Sequence, residues 1–353
     1  MTLPSKMLAA VWNGPDKLEL QERNVPEVIP GSILMQVKSC AICGSDLRIV
    51  KNGNPRIVAP RILGHEASGE IVAIGEGVTE FSIGDRITTG ADIPCGECEH
   101  CLSGRANCCE INFAVGYQFD GAFAEFMLVN PLIVKYGPIK KFSKKLSWEV
   151  AALAEPLGCC INGYERALYK KGSGGNVVVF GAGPIGLMLI SLGKILGADR
   201  IICIEPSAVR RSMAITFGAD VTLDPHAEDV VEKVMHITNG VGGHAIFTAC
   251  PSITAHEQAI AMVAKRGVVN LFGGLSKTSP AISLLSNHLH YKEAYITGSH
   301  GSTPKHHADA LAMIEDGIFD AESLISKSFK LKDIHLAYDL AASGLAAKVI
   351  IKP

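Results

Sequence analysis

NVVVFGAGPIGLMLISLGKILGA, residues 176–198, is the stretch that decides the fold. It opens on an unbroken apolar run, which suits a buried strand. Gly181, Gly183 and Gly186 then form G-x-G-x-x-G, with Pro184 and Ile185 between the last two glycines, and an apolar helix runs on to Gly197. A glycine triplet alone is a weak signal. Placed between a strand and a helix it is specific, because each glycine has a physical task. The first allows the tight turn, the second lets a pyrophosphate approach the backbone, and the third lets helix and strand pack closely. The helix N-terminus adds N–H donors and positive potential for the phosphates. Glycines and a proline break the stretch too often for a membrane span.

Downstream the alternation repeats. DRIICIEP is a second strand and SAVRRSMAITFGA a second helix; DVTLDP, GGHAIFTAC and GVVNLFGG are further strands. This predicts an α/β unit over residues 156–295, built as a doubly wound parallel sheet. Glu205 ends the second strand, and a carboxylate there accepts hydrogen bonds from ribose hydroxyls and repels a 2′-phosphate. That favours NAD over NADP, with Arg210 and Arg211 as the opposing signal. A similar domain that binds no nucleotide is the bland alternative.

Upstream, residues 1–155 carry short apolar runs cut by Gly, Pro and Asp, such as SILMQVKS, GEIVAIGEGV and GDRITTG. They predict a β-rich domain with hairpins. From Trp148 the segment SWEVAALAEPLGCCINGYERAL reads as helical, with Ser147 as its N-cap. Residues 296–353 hold a helix in TPKHHADALAMIEDG, whose His306 and His307 read as an exposed helix start, and a last strand, KVIIKP, expected to return to the first domain.

Charged residues make up 19% of the chain and hydrophobic ones 48%, and the net charge is −2. That is a globular balance with no basic field for nucleic acid. No signal-peptide or membrane segment is evident, so the expectation is a cytoplasmic enzyme or binding protein. In that reducing compartment clustered cysteines are more often metal ligands than disulfides. Five of the 11 cysteines lie in IPCGECEHCLSGRANCC, residues 93–109.

The motifs CGSD, GHE, C-x2-C-x2-C-x7-C, AEPLG and GAGPIG occur in this order along the chain. Together they resemble the zinc-dependent medium-chain alcohol dehydrogenases, and within them the sorbitol (polyol) dehydrogenase-like subgroup. The resemblance implies a GroES-like catalytic domain (residues 1–155, completed by 296–353) and a Rossmann domain (156–295). It implies one catalytic and one structural zinc per chain, NAD, a small-molecule alcohol or ketone as partner, and a homodimer or homotetramer. Cys43, His65, Glu66 and Glu155 take the places of the catalytic zinc ligands, Glu155 where alcohol dehydrogenases have a cysteine. Ser45 matches the hydroxyl that relays the substrate proton, and Asp46 an acidic group behind the ligands. Cys95, Cys98, Cys101 and Cys109 match the structural zinc lobe (about 93–110), leaving Cys108 a bystander. Four thiolates close a tetrahedral shell, whereas a catalytic zinc keeps an open position and acidifies a hydroxyl. Phe272, Gly273, Gly298, Ser299 and His300 match loops beside the nicotinamide. The implied reaction moves a hydride between a secondary alcohol, a polyol or sugar-like diol, and NAD, giving a ketone. Threonine-type and butanediol-type dehydrogenases are the alternatives, and a non-catalytic zinc protein of the same fold is the rival from another class. One departure stands out: the subgroup's polyol handles, a tyrosine after CGSD and an Arg-Tyr pair, correspond here to Ile49, Gly301 and Ser302.

Overall fold

The computed structural model describes residues 3–276 and 279–353. The chain divides into two compact units, residues 1–158 with 301–353 and residues 159–300. The boundaries lie a few residues beyond those read from the sequence, 155/156 and 295/296. The first falls inside the helix Ala154–Arg166.

In the unit 159–300, six strands form one sheet, every neighbouring pair parallel. In chain order these are Asn176–Phe180, Arg200–Ile204, Val221–Leu223, Gly243–Thr248, Val263–Leu271 and Tyr295–Gly298. Numbered that way, their spatial order is 3-2-1-4-5-6, the doubly wound arrangement with its crevice between the first and fourth strands. The first strand is central and buried from Val177 to Phe180, which is why its sequence does not alternate. The helix Pro184–Leu196 follows it and ends at Gly197, whose φ of +87° supplies the left-handed turn.

The other unit is built from antiparallel strands around Ile33–Ala41. That strand pairs with Glu66–Ile74, with Phe126–Val129 and with the last strand, Lys348–Lys352. The chain's final strand thus returns to its first unit, as KVIIKP suggested. Register does the important work: Ala41 faces Glu66 on one side and Ile350 on the other. Two residues past Ala41, therefore, Cys43 is brought beside the His65–Glu66 pair and beside Lys348.

Two readings need correction. SWEVAALAEPLGCCINGYERAL is not one helix but two, Trp148–Ala152 and Ala154–Arg166. Pro156 lacks an N–H and its ring clashes with the carbonyl four residues back, so the helix restarts there. Ser147 does cap the first piece, accepting from Val150 N at 3.2 Å. His306 and His307 are not exposed; they are 6% and 0% accessible, at the buried start of the helix Pro304–Glu315. The i, i+3 stripe of Ala310, Leu311 and Ile314 turns that face inward.

Candidate active site and metal centres

Cys43 is the N-cap of the helix Gly44–Asn52, at the positive end of that helix's dipole. Its backbone N–H donates to Asp46 Oδ2 at 3.0 Å, and Asp46 Oδ1 lies 3.5 Å from His65 Nδ1. Asp46 thus binds the cysteine's backbone and orients the imidazole, leaving Nε2 for another partner. Cys43, His65 and Glu66 each bring a donor atom within 4.8 Å of the others. Glu155, buried in the first turn of its helix, is not part of that triplet but feels the charges of His65 and Glu66.

Four potential anions, Cys43, Asp46, Glu66 and Glu155, face one buried ammonium. That cation is Lys348, absent from the sequence reading, whose Nζ donates to both Glu66 oxygens at 2.5 Å. Burial works against an imidazolium at His65, but Asp46, Cys43 and Glu155 outweigh it and hold its pKa well above the usual value. Burial, joined by repulsion from Glu66 and Asp92, pushes the Glu155 carboxyl up to about 8 against the pull of His65 and Lys348. A largely buried pocket with a thiol, an imidazole and carboxyl groups is a donor set that a zinc ion fits.

The cysteine lobe is a different construction. It leaves and rejoins the unit through two short paired strands, Asp92–Ile93 and Phe113–Ala114. Between Cys95 and Cys109 only Cys109 is buried, so apolar packing cannot hold this loop. The sulfurs do converge: Cys98–Cys101 is 3.5 Å, Cys95–Cys101 3.8 Å and Cys98–Cys109 4.0 Å. Sulfurs about 2.3 Å from one tetrahedral zinc stand about 3.8 Å apart, whereas a disulfide needs about 2.05 Å. All 11 cysteines carry free thiols. Backbone N–H groups of Glu110 and Cys101 pull the Cys98 thiol down to about 6. Cys108 is exposed, outside the group of four.

The dinucleotide turn has the form its glycines imply. Gly181 takes a φ of +94°, and a Cβ on Gly186 would lie 1.9 Å from Gly181 O. A Cβ on Gly183 would meet nothing within 4 Å, so open space lies where a pyrophosphate would approach. No side chain caps the helix that begins at Pro184 and Ile185. Glu205 is buried, with Oε2 accepting from Ala182 N at 2.8 Å and Oε1 from Ser207 N at 2.9 Å. Arg211 is spent on Asp224 at 3.0 Å and on the carbonyls of Glu205 and Pro206, while Arg210 sits in the first turn of the helix Ala208–Thr216.

The later loop residues are moored from within their own unit. The Phe272 ring packs where a Cβ on Gly163 would be, 2.8 Å away, and Gly273 lies against the Cys250 backbone. Ser299 Oγ donates to Asn270 Oδ1 at 2.9 Å, and Asn162 Nδ2 donates to His300 O at 3.3 Å. A Cβ on Gly298 would meet Leu271 O at 4.0 Å, an ordinary contact.

Comparison with known proteins agrees with this geometry. The family model of the alcohol dehydrogenase GroES-like domain matches residues 29–136, and that of zinc-binding dehydrogenases matches residues 184–316. A sorbitol dehydrogenase of Halalkalibacterium halodurans is 31% identical over 352 residues, 99% of each chain. An L-threonine 3-dehydrogenase of Pyrococcus furiosus is 33% identical over 357 residues, also 99% of each. Among solved structures, 2R,3R-butanediol dehydrogenase from Bacillus subtilis superposes with a TM-score of 0.89 at 28% identity, over 98% of this chain and 99% of that one. The chain belongs to the zinc-dependent medium-chain alcohol dehydrogenases. Within that family it is of the polyol dehydrogenase-like kind, an oxidoreductase of secondary alcohols that uses a nicotinamide dinucleotide.

Three residues at the site escaped the sequence reading: Lys348, Tyr117 and Asp92. Lys348 could have been suspected as a lone lysine opening an apolar terminal strand, but its partner lies 282 positions away. Arg48 is exposed, and Lys51 pairs with Asp16 at 3.2 Å on the surface.

Proposed function

We propose that this chain oxidises a polyol or sugar-like diol at a secondary carbon, with NAD as hydride acceptor and one catalytic and one structural zinc per chain. The observation that carries the reading is the convergence of the half-buried Cys43 with the buried His65 and Glu66, their donor atoms within 4.8 Å of one another. When bound there, zinc supplies the Lewis acidity that lowers the pKa of a substrate hydroxyl. Cys43 and His65 hold the ion. Both Glu66 oxygens are engaged by Lys348, which supports Glu155 as the carboxylate turned to the ion or its water, with Glu66 behind it. Ser45 takes the hydroxyl proton as the carbon gives up its hydride. Cys95, Cys98, Cys101 and Cys109 hold the structural ion.

Gly181, Gly183 and Gly186 with the helix at Pro184 would cradle the pyrophosphate, and Glu205 the adenosine ribose. The buried Glu205 carboxylate and the engagement of Arg211 by Asp224 support NAD. A zinc-binding dehydrogenase of Sinorhizobium meliloti that was solved with NADP is the contrary signal. The ratio of kcat/KM for the two cofactors, in the chain and in Glu205→Ser, decides it: NAD should lead, and the substitution should narrow the gap. A homodimer or homotetramer is supported by the open edge strand Tyr295–Gly298, near which Leu285 and Tyr291 are 80% and 77% exposed. Light scattering tests that reading. The free thiols suit the cytoplasm.

The 33% identity to a threonine dehydrogenase favours a second reading, an amino alcohol substrate. A panel of polyols, 2,3-butanediol and L-threonine with NAD separates the two. No turnover of any polyol or diol would remove the first.

A further inference from the structure

The polyol handles of the subgroup correspond here to Ile49, Gly301 and Ser302, and the fold shuts all three positions. Ile49 is 2% exposed, within the hydrophobic core. A Cβ on Gly301 would lie 2.1 Å from Asp92 Oδ2, so that carboxylate fills the direction a side chain would take. Ser302 is 1% exposed, and its N–H donates to the same Asp92 oxygen at 2.9 Å. A polyol must be gripped by something else.

Another side chain reaches the pocket from a segment the sequence reading passed over. After the cysteine lobe rejoins the unit at Ala114, the chain turns and packs along the approach to His65. Gly121 N donates to Ile62 O at 2.7 Å, Ala122 N to Gly64 O at 2.9 Å and Phe123 N to Leu63 O at 3.0 Å. A Cβ on Gly116 would stand 3.3 Å from Gly64 N, so Tyr117 starts one residue from the segment that carries His65. Its ring is held by the Arg56 guanidinium, 5.3 Å from the ring centroid. Arg56 is itself fixed, its guanidinium donating to Asn112 O and its carbonyl accepting from Gln118 Nε2 at 3.0 Å. The Tyr117 hydroxyl lies beside Ser45 and within electrostatic reach of His65, Asp46 and Cys43. Ser45 Oγ is buried, and a hydroxyl with one donor and two acceptor positions keeps capacity for a further hydroxyl beside the phenol. A phenol beside a buried serine, next to the candidate metal ligands, can donate to a hydroxyl on one carbon while chemistry proceeds at its neighbour.

We propose that Tyr117 is the diol handle of this chain, holding the hydroxyl adjacent to the reacting carbon beside Ser45, in place of the handles that Ile49, Gly301 and Ser302 cannot provide. The proposal rests on the polyol reading above. Burial raises the phenol above its usual pKa, which keeps it protonated as a donor.

The test is Tyr117→Phe in the zinc- and NAD-loaded enzyme, a change that keeps the ring and its contact with Arg56. KM for a polyol or 2,3-butanediol should rise roughly tenfold with kcat nearly unchanged, while the parameters for 2-butanol, which has no second hydroxyl, stay put. Equilibrium binding gives a readout independent of turnover. The dissociation constant of the diol for the enzyme carrying NADH, followed by cofactor fluorescence, should rise by a similar factor. Equal losses with 2-butanol and the diol would reveal a merely structural residue and overturn the proposal. Unchanged diol binding in Tyr117→Phe, with a wild type that does oxidise diols, would overturn it while leaving the polyol reading intact. A wild type that oxidises 2-butanol but no diol would remove both.

Discussion

The two candidate metal centres lie in the same unit and are built on opposite principles. In the lobe, four like donors fall within residues 95–109, with short local turns between them and almost no buried surface. In the pocket, unlike donors come from positions 43, 65, 66 and 155, all but the half-buried Cys43 fully buried, with a lysine at 348 balancing one of them. A local, closed set of thiols can be assembled by the metal itself, so its geometry and its stability are one matter. A dispersed, mixed set is assembled by the fold, so the fold bears the cost of burying ionisable groups close together. The first should therefore fail by unfolding and the second by losing chemistry.

Three measurements bear on that contrast. Cys43→Ser should reduce kcat/KM by about 10⁴-fold, about 5 kcal/mol of transition-state stabilisation, and remove one of two zinc equivalents with little change in Tm. Two zincs retained at full turnover would erase the distinction between the centres. Lys348→Met leaves Glu66 as a buried charge without its partner, and urea unfolding should register a loss of about 3–5 kcal/mol. Stability equal to wild type would mean that the pocket is wetter than its burial implies. Cys98→Ser should lower stability on the order of 3 kcal/mol and remove the other zinc, with turnover per folded chain within about twofold of wild type. Loss of turnover without loss of stability would invert the roles of the two sites.

A fourth effect, spread over pH, belongs to a group outside both centres. His307 is fully buried, and burial, against the Thr88 backbone and with Lys140 nearby, drives its imidazole down to about 4. The unfolded chain takes up that proton near pH 6.5 and the folded chain does not. Stability from this residue is therefore intact above pH about 6.5 and falls by about 1.4 kcal/mol per pH unit between there and about 4. Acid unfolding of His307→Leu should be correspondingly flatter over that window; an identical acid limb would place a hydrogen-bonded water or a different tautomer at the imidazole.

Legibility in the sequence followed the same divide. Strand, glycine turn and helix at 176–198 are local in the chain, and so is the thiol spacing of the lobe, so pattern alone points to both. The strand 348–352 announced itself as a strand by its apolar run. Its register against Ala41 depends on pairing across the whole chain, and so the Glu66–Lys348 pair could not be read. The same limit hid Tyr117, whose neighbours Arg56 and Ser45 come from separate turns. Pro156 was visible, but the helical periodicity on either side masked the restart it enforces. His306 and His307 were misjudged because polarity was taken for exposure, when the face of the helix was decided by the sheet beneath it.

The position of the last strand also orders events in time. Residues 159–300 leave the ribosome as one uninterrupted run and hold every strand of the parallel sheet. The other unit is interrupted by that run, and the end of its central strand at Cys40–Ala41 has no partner on one side until Lys348–Lys352 has been made. Until then Glu66 lacks its counter-charge and the pocket beside Cys43 lacks one wall. The unit 159–300 thus has all its strand partners before the last strand is made, whereas the pocket beside Cys43 is completed only with that strand.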